Sequence, residues 1–379
     1  MKIGLLGFGV VGRGVYDILA GREDISVKTV LARRDLGALT CAVTRDMQDI
    51  LDDPEIDTVV EVMGGLHPAY EYVSGALKAG KNVVTSNKHL LCHYYKELNA
   101  LAAANGCALR GTAAVGGGIP WLVNLERAAR VNAIDKVSGI MNGTTNYIMD
   151  AMHRSDADFA DVLRKAQELG YAEADPSADI DGWDIQRKLI ISAGVAFGVC
   201  LQEEDVPVFG IRNVSAEDIR RFQAHGRTCK LIASAERLSD SVAACVEPTL
   251  LTADALEAAV PANFNLISME GEFMGRESFF GQGAGRYPTA YNVVQDLTDI
   301  AAGEKGFYTD RFADAGTNNA GCLRRYYVRT EAKLPALEAA RDEDWDGAVI
   351  TMPMSVAQMH ALSKSMLEAD PKSFFAALA

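Results

Sequence analysis

A glycine loop at the start of the chain does most to limit what it can fold into. Lys2 to Leu6 is a short apolar run, Gly7-Phe8-Gly9-Val10-Val11-Gly12 follows at once, and Val10 to Ala20 has helical spacing. A G-x-G-x-x-G pattern alone is a weak signal. Between a strand and a helix it is the phosphate loop expected of a dinucleotide-binding fold. The first glycine permits the tight turn, the second lets backbone approach a pyrophosphate, and the third lets helix and strand pack closely. The helix start then offers free N–H groups and a positive dipole end to the phosphates. A Gly-rich turn without a ligand is the competing reading.

The first third goes on alternating. Strands are expected at Ser26 to Ala32, Asp57 to Val62, Lys81 to Thr85 and Cys107 to Arg110, with helices at Pro68 to Ala79 and His89 to Ala104. Strands spaced by such helices predict a parallel sheet covered on both faces. After Gly116-Gly117-Gly118 the pattern changes. Pro120 opens a helix through Arg130, Ala133 to Met141 is strand-like, Ser155 reads as the cap of a helix to Leu169, and Asp181 to Gly198 is helical. β-prone runs between Cys229 and Glu272 suggest an open sheet under these helices. Gly281 to Gly285 is a loop before a helix from Thr289 to Ala301. The tail reads as strand (Tyr326 to Arg329), helix (Leu334 to Ala340), strand (Ala348 to Thr351) and helix (Ser355 to Leu367), a small separate βαβα unit. A chain of 379 residues predicts two or three domains. The fold class is therefore α/β: a Rossmann domain over 1–130, to which the helix at 289–303 returns, an α+β domain with an open sheet over 131–288, and the tail unit over 320–379.

A formal charge of −14 argues against nucleic acid, whose phosphates need clustered Lys and Arg, and against anionic membrane surfaces. The longest apolar run, Leu189 to Leu201, falls short of the ~20 residues of a membrane span. The first residues read as a strand, not a signal peptide. Seven dispersed cysteines without CxxC spacing fit reduced thiols in a cytoplasm. There is no HExxH or Gly-x-Ser-x-Gly pattern, so neither a zinc site nor a nucleophile elbow is expected.

The second strand ends in Leu31-Ala32-Arg33-Arg34-Asp35. An acid at the strand end would suit a bare ribose, whereas arginine pairs with a phosphate. Arg33 thus leans the reading to NADP, with solvated arginines as the alternative and Asp35 keeping NAD open. From Gly170 to Lys188, five carboxylates (Glu173, Asp175, Asp179, Asp181, Asp184) lead into a helix that turns apolar after its lysine. Asp184 and Lys188 are four apart and share a helix face. A lysine at the mouth of a buried helix is paired, readily deprotonated or serves a ligand. Acids favouring a helix dipole are the bland alternative. Calcium fails on register, because the required bidentate Glu would fall on Lys188. Thr85-Ser86-Asn87-Lys88 stands at the C-terminal end of a parallel strand, where α/β sheets bind ligands; a surface lysine beside a helix cap is its other reading.

Together these segments resemble homoserine dehydrogenase, up to about Gly303. The likeness rests on the Gly7 to Gly12 loop, Glu61-Val62-Met63-Gly64-Gly65, Val84-Thr85-Ser86-Asn87-Lys88, Val115-Gly116-Gly117-Gly118-Ile119-Pro120, Asn142-Gly143-Thr144-Thr145-Asn146-Tyr147, Gly170-Tyr171-Ala172-Glu173, Asp184-x-x-x-Lys188 and Gly283-Ala284-Gly285-x-x-Pro288. It implies reversible NAD(P)-dependent interconversion of L-homoserine and L-aspartate β-semialdehyde, on the route to threonine, isoleucine and methionine, by a cytoplasmic homodimer or higher homo-oligomer. A non-catalytic NADP-binding sensor is the alternative. A phosphorylating aldehyde dehydrogenase needs a nucleophilic cysteine, and none lies in the matched loops. By position, Lys188 is the proton donor, Lys88 lies between cofactor and substrate, and Asp184 and Glu173 bind homoserine with Asp179 in support. Tyr171, Gly143 and Thr144 join the substrate site. Gly7, Phe8, Gly9, Val10, Val11, Gly12, Arg33, Gly64, Ser86, Gly170 and Gly285 join the cofactor site. The family also holds a monovalent cation, usually sodium, on backbone carbonyls, here those of Thr112, Val115, Gly117 and Ile119; it commonly has Glu where Thr112 stands. Many bacterial members end in an ACT domain. The tail resembles its edges, with the middle strand and helix missing.

Overall fold

The structure is a computed structural model that describes residues 1–155, 157–306 and 316–379. The chain forms two compact units: Met1–Asn132 with Ile191–Cys200 and Gly281–Ala313, and Ala133–Ile190 with Leu201–Phe280 and Asp314–Ala379. Among the described residues no helix is long and apolar enough to cross a membrane.

The first unit is built on six parallel strands, β1 (Lys2–Leu6), β2 (Ser26–Leu31), β3 (Ala42–Thr44), β4 (Thr58–Glu61), β5 (Asn82–Thr85) and β6 (Leu109–Arg110), in the order β3-β2-β1-β4-β5-β6. That order reverses direction at β1, and in open α/β sheets ligands bind at such a point, outside the C-terminal strand ends. Neighbouring strand residues face opposite layers. Leu5, Val60 and Val84 pack with Val15 and Leu19 of the helix Val10–Leu19, and Leu6, Val59 and Val83 pack with Val73, Leu77, Leu90 and Leu98 of the helices Ala69–Lys78 and Lys88–Ala104. Burying each such side chain is worth about 1.5–3 kcal/mol, which explains why these strands read as continuous apolar runs. The helix Arg286–Ala301 adds Ala290, Val293 and Leu297 to the Leu5 layer, and its Arg286 pairs with Asp17.

The second unit is built on a mixed sheet. Its strands are β7 (Ile134–Ile140), β8 (Thr228–Arg237), β9 (Val242–Leu251), β10 (Phe264–Gly271), β11 (Gly275–Gln282), β12 (Leu323–Arg329), β13 (Arg341–Trp345), β14 (Ala348–Thr351), the short β15 (Met354–Ser355) and β16 (Phe374–Leu378). The order is β11-β10-β7-β8-β9-β16-β12-β14-β13, with β15 beside β12. Three expectations need correction. Ser155 caps nothing: it is the last residue of a helix, Gly143–Ser155, and its hydroxyl donates back to the Ala151 carbonyl at 2.6 Å. The following helix runs Phe159–Glu168 from an extended Asp158. The tail is also more than βαβα, because β13 and β16 are present. Nor is it separate. β16 runs parallel to β9, with Ala377 beside Thr249, and antiparallel to β12. The strand β13 was hidden by its charge, Arg-Asp-Glu-Asp-Trp, with four of the five exposed on an edge where charge blocks further pairing.

Candidate active site

The glycine loop and its neighbouring cavity belong to the first unit. Gly7 turns with φ of 97°, and a Cβ on Gly12 would lie 2.2 Å from the Gly7 carbonyl oxygen, so helix and turn touch through bare backbone. Val10, at the helix start, is exposed. Beside the loop lies a cavity of about 490 Å³, lined by Gly7, Gly9, Leu31, Ala32, Arg33, Arg45, Val62, Met63, Gly64, His67, Pro68 and Tyr72. Among the described residues no carboxylate lines it. The two neighbouring arginines divide their work: Arg33 lines the cavity, while Arg34 donates to the Phe8 carbonyl at 2.9 Å and braces the loop. Arg45 was missed by the sequence reading. It follows β3, and only the β2–β3 pairing brings it beside Arg33. Backbone that admits a pyrophosphate and a cavity edged by two guanidiniums fit a phosphorylated dinucleotide.

Glu61 organises the rest of this strand edge. It is fully buried and accepts from the Met63 N–H (2.8 Å), the Gly64 N–H (3.2 Å) and the Thr85 hydroxyl (2.6 Å). Burial pushes its carboxyl up, and these donors oppose that shift. Asn87 accepts from the Leu90 N–H at 3.1 Å, capping the helix that opens with Lys88, and donates to the Gly65 carbonyl at 2.7 Å. Gly64, Ser86 and Lys88 are thus fixed along one edge; the Ser86 N–H donates to the Glu61 carbonyl at 3.2 Å.

The residues expected to hold a cation lie in the same unit. The carbonyls of Gly117 and Ile119 converge on Asn292 Nδ2 at 2.7 and 3.0 Å, and Asn292 Oδ1 is buried without a partner. Thr112 gives its N–H (2.9 Å) and hydroxyl (2.7 Å) to the buried Asp296, which also pairs with Arg110 at 3.1 Å. With Asp296 paired to Arg110 and the Asn292 amide filling the point on which the two carbonyls converge, the buried, partnerless Asn292 Oδ1 is an oxygen that would suit a hard cation. Val115 is buried beside them.

The acid cluster and Lys188 belong to the second unit. Asp184 and Lys188 lie one turn apart on the helix Trp183–Phe197, 6% and 7% exposed, with Nζ 2.7 Å from Asp184 Oδ2. Lys188 also donates to the Met141 carbonyl at 2.7 Å. Asn142, the next residue, gives its side-chain NH2 to Asp179 Oδ1 (2.7 Å) and Asp184 Oδ2 (2.9 Å). Burial, and after it Asp184, push the Asp179 carboxyl up, while Asn142 and Lys188 pull it down. The five acids therefore separate. Asp175 accepts from the Ser177 N–H, Asp181 pairs with Arg212 at 2.7 Å, Glu173 is exposed, and Asp179 and Asp184 meet at Asn142. The Thr144 hydroxyl donates to the Tyr171 carbonyl at 2.5 Å, tying the start of the helix Gly143–Ser155 to the acidic loop. Gly170 ends the helix Phe159–Glu168 with φ of 74°, and Gly285 precedes the helix Arg286–Ala301. Such a cluster can grip an ammonium and exchange a proton with a neighbouring oxygen.

Residues 7–110 match the family model "Homoserine dehydrogenase, NAD binding domain", and residues 120–298 match "Homoserine dehydrogenase". The chain is 39% identical to homoserine dehydrogenase of Bacillus subtilis over 79% of its own length and 72% of that protein's, and 42% identical to the Synechocystis enzyme over 79% and 73%. Among solved structures, a homoserine dehydrogenase from Thiobacillus denitrificans superposes with TM-score 0.90 at 34% identity, covering 100% of this chain and 98% of that one. A hyperthermophilic archaeal homoserine dehydrogenase in complex with NADPH gives 0.70 at 25% identity, over 81% and 99%.

Proposed function

The chain belongs to the homoserine dehydrogenase family, an NAD(P)-dependent oxidoreductase acting on a CH–OH group, and from that premise we propose how its residues share the reaction. The nicotinamide, when bound, supplies or accepts the hydride. Everything else falls to the side chains. Asp179 and Asp184, with Glu173 from the exposed loop, take the ammonium of L-homoserine, and Gly143, Thr144 and Tyr171 shape the floor beside them. In the reducing direction Lys188 gives a proton to the oxygen that becomes the hydroxyl of homoserine; in oxidation it takes that proton back. Lys88 orients the substrate for hydride transfer. The observation that carries this reading is the buried Lys188–Asp184 pair at the acid cluster.

NADP is the preferred cofactor, because Arg33 and Arg45 edge the cavity beside the glycine loop. Sodium is the cation at Thr112, Val115, Gly117 and Ile119, a reading supported by the partnerless Asn292 Oδ1 buried beside the last two. The enzyme works in the cytoplasm as a homodimer or higher homo-oligomer, on the route to threonine, isoleucine and methionine. Initial rates of L-homoserine oxidation with NADP⁺ or NAD⁺, in sodium or potassium buffer, test the reading. Activity should be higher with NADP⁺ and depend on the monovalent ion; reduction of neither cofactor would sink it.

A further inference from the structure

Asn142 has no assigned part in the reaction, yet its amide is more fully committed than any other group at the acid cluster. Its Oδ1 accepts from the Thr145 N–H (2.9 Å) and the Thr145 hydroxyl (3.2 Å), which fixes the amide's orientation at the start of the helix Gly143–Ser155. Both hydrogens of Nδ2 then point to acids, one to Asp179 Oδ1 and one to Asp184 Oδ2. A flipped amide would set its oxygen against two carboxylates, so the network admits one orientation. The same Asp184 oxygen receives Lys188 Nζ. The backbone of Asn142 continues from Met141, whose carbonyl is the second acceptor of Lys188. One residue step therefore carries both the acceptor that steers the lysine and the donor that steers its carboxylate.

We propose that Asn142 is a positioning residue of the reaction: its single NH2 group, shared between Asp179 and Asp184, sets the Asp184 oxygen that faces Lys188. This rests on the assignment of Lys188 as proton donor. A buried carboxylate, Asp184, and a half-buried one, Asp179, repel, and a shared neutral donor lowers the cost of keeping both ionised without itself exchanging a proton. The charged groups facing the amide are Asp179 on the helix Ser177–Ile180 and Asp184 and Lys188 on the helix Trp183–Phe197; Asp181 is drawn off by Arg212. Without the NH2, one acid of the pair holds its proton to higher pH, and the Asp184–Lys188 geometry loosens.

Two substitutions test this. Asn142→Asp keeps an oxygen for the Thr145 N–H but replaces the donor with a third negative charge; Asn142→Ala removes both functions. Both should lower kcat/KM for homoserine by roughly 10- to 100-fold, the range a displaced catalytic group costs. Both should move the acid limb of the pH profile upward, with the larger move in Asn142→Asp. KM for NADP⁺ and circular dichroism should stay within about twofold of the parent, since the amide serves the second unit alone. Acid limbs that coincide with the parent's, or losses shared equally by NADP⁺ binding, would overturn the proposal. Failure of the parent protein to oxidise homoserine would instead refute the functional reading.

Discussion

Removing the guanidiniums that edge the cofactor cavity should change which dinucleotide the enzyme prefers, not whether it binds one. Arg33 and Arg45 line the cavity beside Gly7 and Gly9, and both are exposed. A hydrogen bond to a charged group is worth about 1.5–3 kcal/mol, and solvent around both side chains places them at the lower end, about 1.5 kcal/mol each. At 1.4 kcal/mol per factor of ten, Arg45→Ala should raise KM for NADP⁺ by roughly tenfold. The double variant with Arg33→Ala should raise it by roughly a hundredfold if the effects add. NAD⁺ has no phosphate at that position, so its KM should stay within about twofold. Arg34→Ala is the control. Arg34 holds the Phe8 carbonyl, so its loss loosens the phosphate loop and should weaken both cofactors alike. The assay is initial rate against cofactor concentration at saturating homoserine. Equal losses for NADP⁺ and NAD⁺ in the Arg45 variant, or no loss for NADP⁺, would show that the cavity does not read the 2′-phosphate.

Lys188→Gln can still donate to Asp184 and the Met141 carbonyl but cannot give up a proton. Its kcat should fall roughly 10²- to 10⁴-fold with little change in KM for NADP⁺, and turnover near that of the parent would end the proton-donor assignment. Gly12→Ala places a methyl where the Gly7 carbonyl oxygen lies 2.2 Å away, so cofactor binding and thermal midpoint should drop together; an unchanged dissociation constant by fluorescence titration would contradict the close packing. His153 accepts the Cys229 N–H through Nε2, and burial, then Lys230, lower its pKa from 6.5 to about 4. The ring is neutral when folded, so its stabilisation is present above pH ~6.5 and is lost as pH falls toward 4, by at most about 3 kcal/mol. Urea midpoints at pH 7 and 5 should differ less in His153→Gln than in the parent, and identical differences would refute the linkage.

The first unit is legible from sequence because its signals are local. Glycines, apolar strands and helix spacing fall within short windows from Lys2 to Arg110. The second unit hides more. Helix Gly143–Ser155 follows the strand Ile134–Ile140 after only Met141 and Asn142, and Ser155 looks like a cap while its hydroxyl bonds back along its own helix. The strand Arg341–Trp345 lacks apolar alternation, yet Asp346-Gly347 was a readable hairpin signal: both residues have positive φ (50° and 88°), and Trp345 pairs with Ala348 across the two-residue turn. In the site, Asp184 and Lys188 are found from spacing alone. Asn142 is not, because its link to Asp179 and Asp184 crosses 37 and 42 residues. Arg45 is likewise invisible until β3 pairs with β2.

The placement of β16 between β9 and β12 governs how this protein can be made. Until residue 378 has left the ribosome, the strand Leu323–Arg329 must wait with its β16 edge open over Arg325 to Arg329, and Val242–Leu251 lacks its neighbour at Thr249 and Leu250. An unfilled edge of that length invites pairing with other chains. Chains cut short before Phe374 should accordingly accumulate as aggregates, so the last strand acts as the closing seam of the catalytic body and offers a poor junction for fusion or deletion.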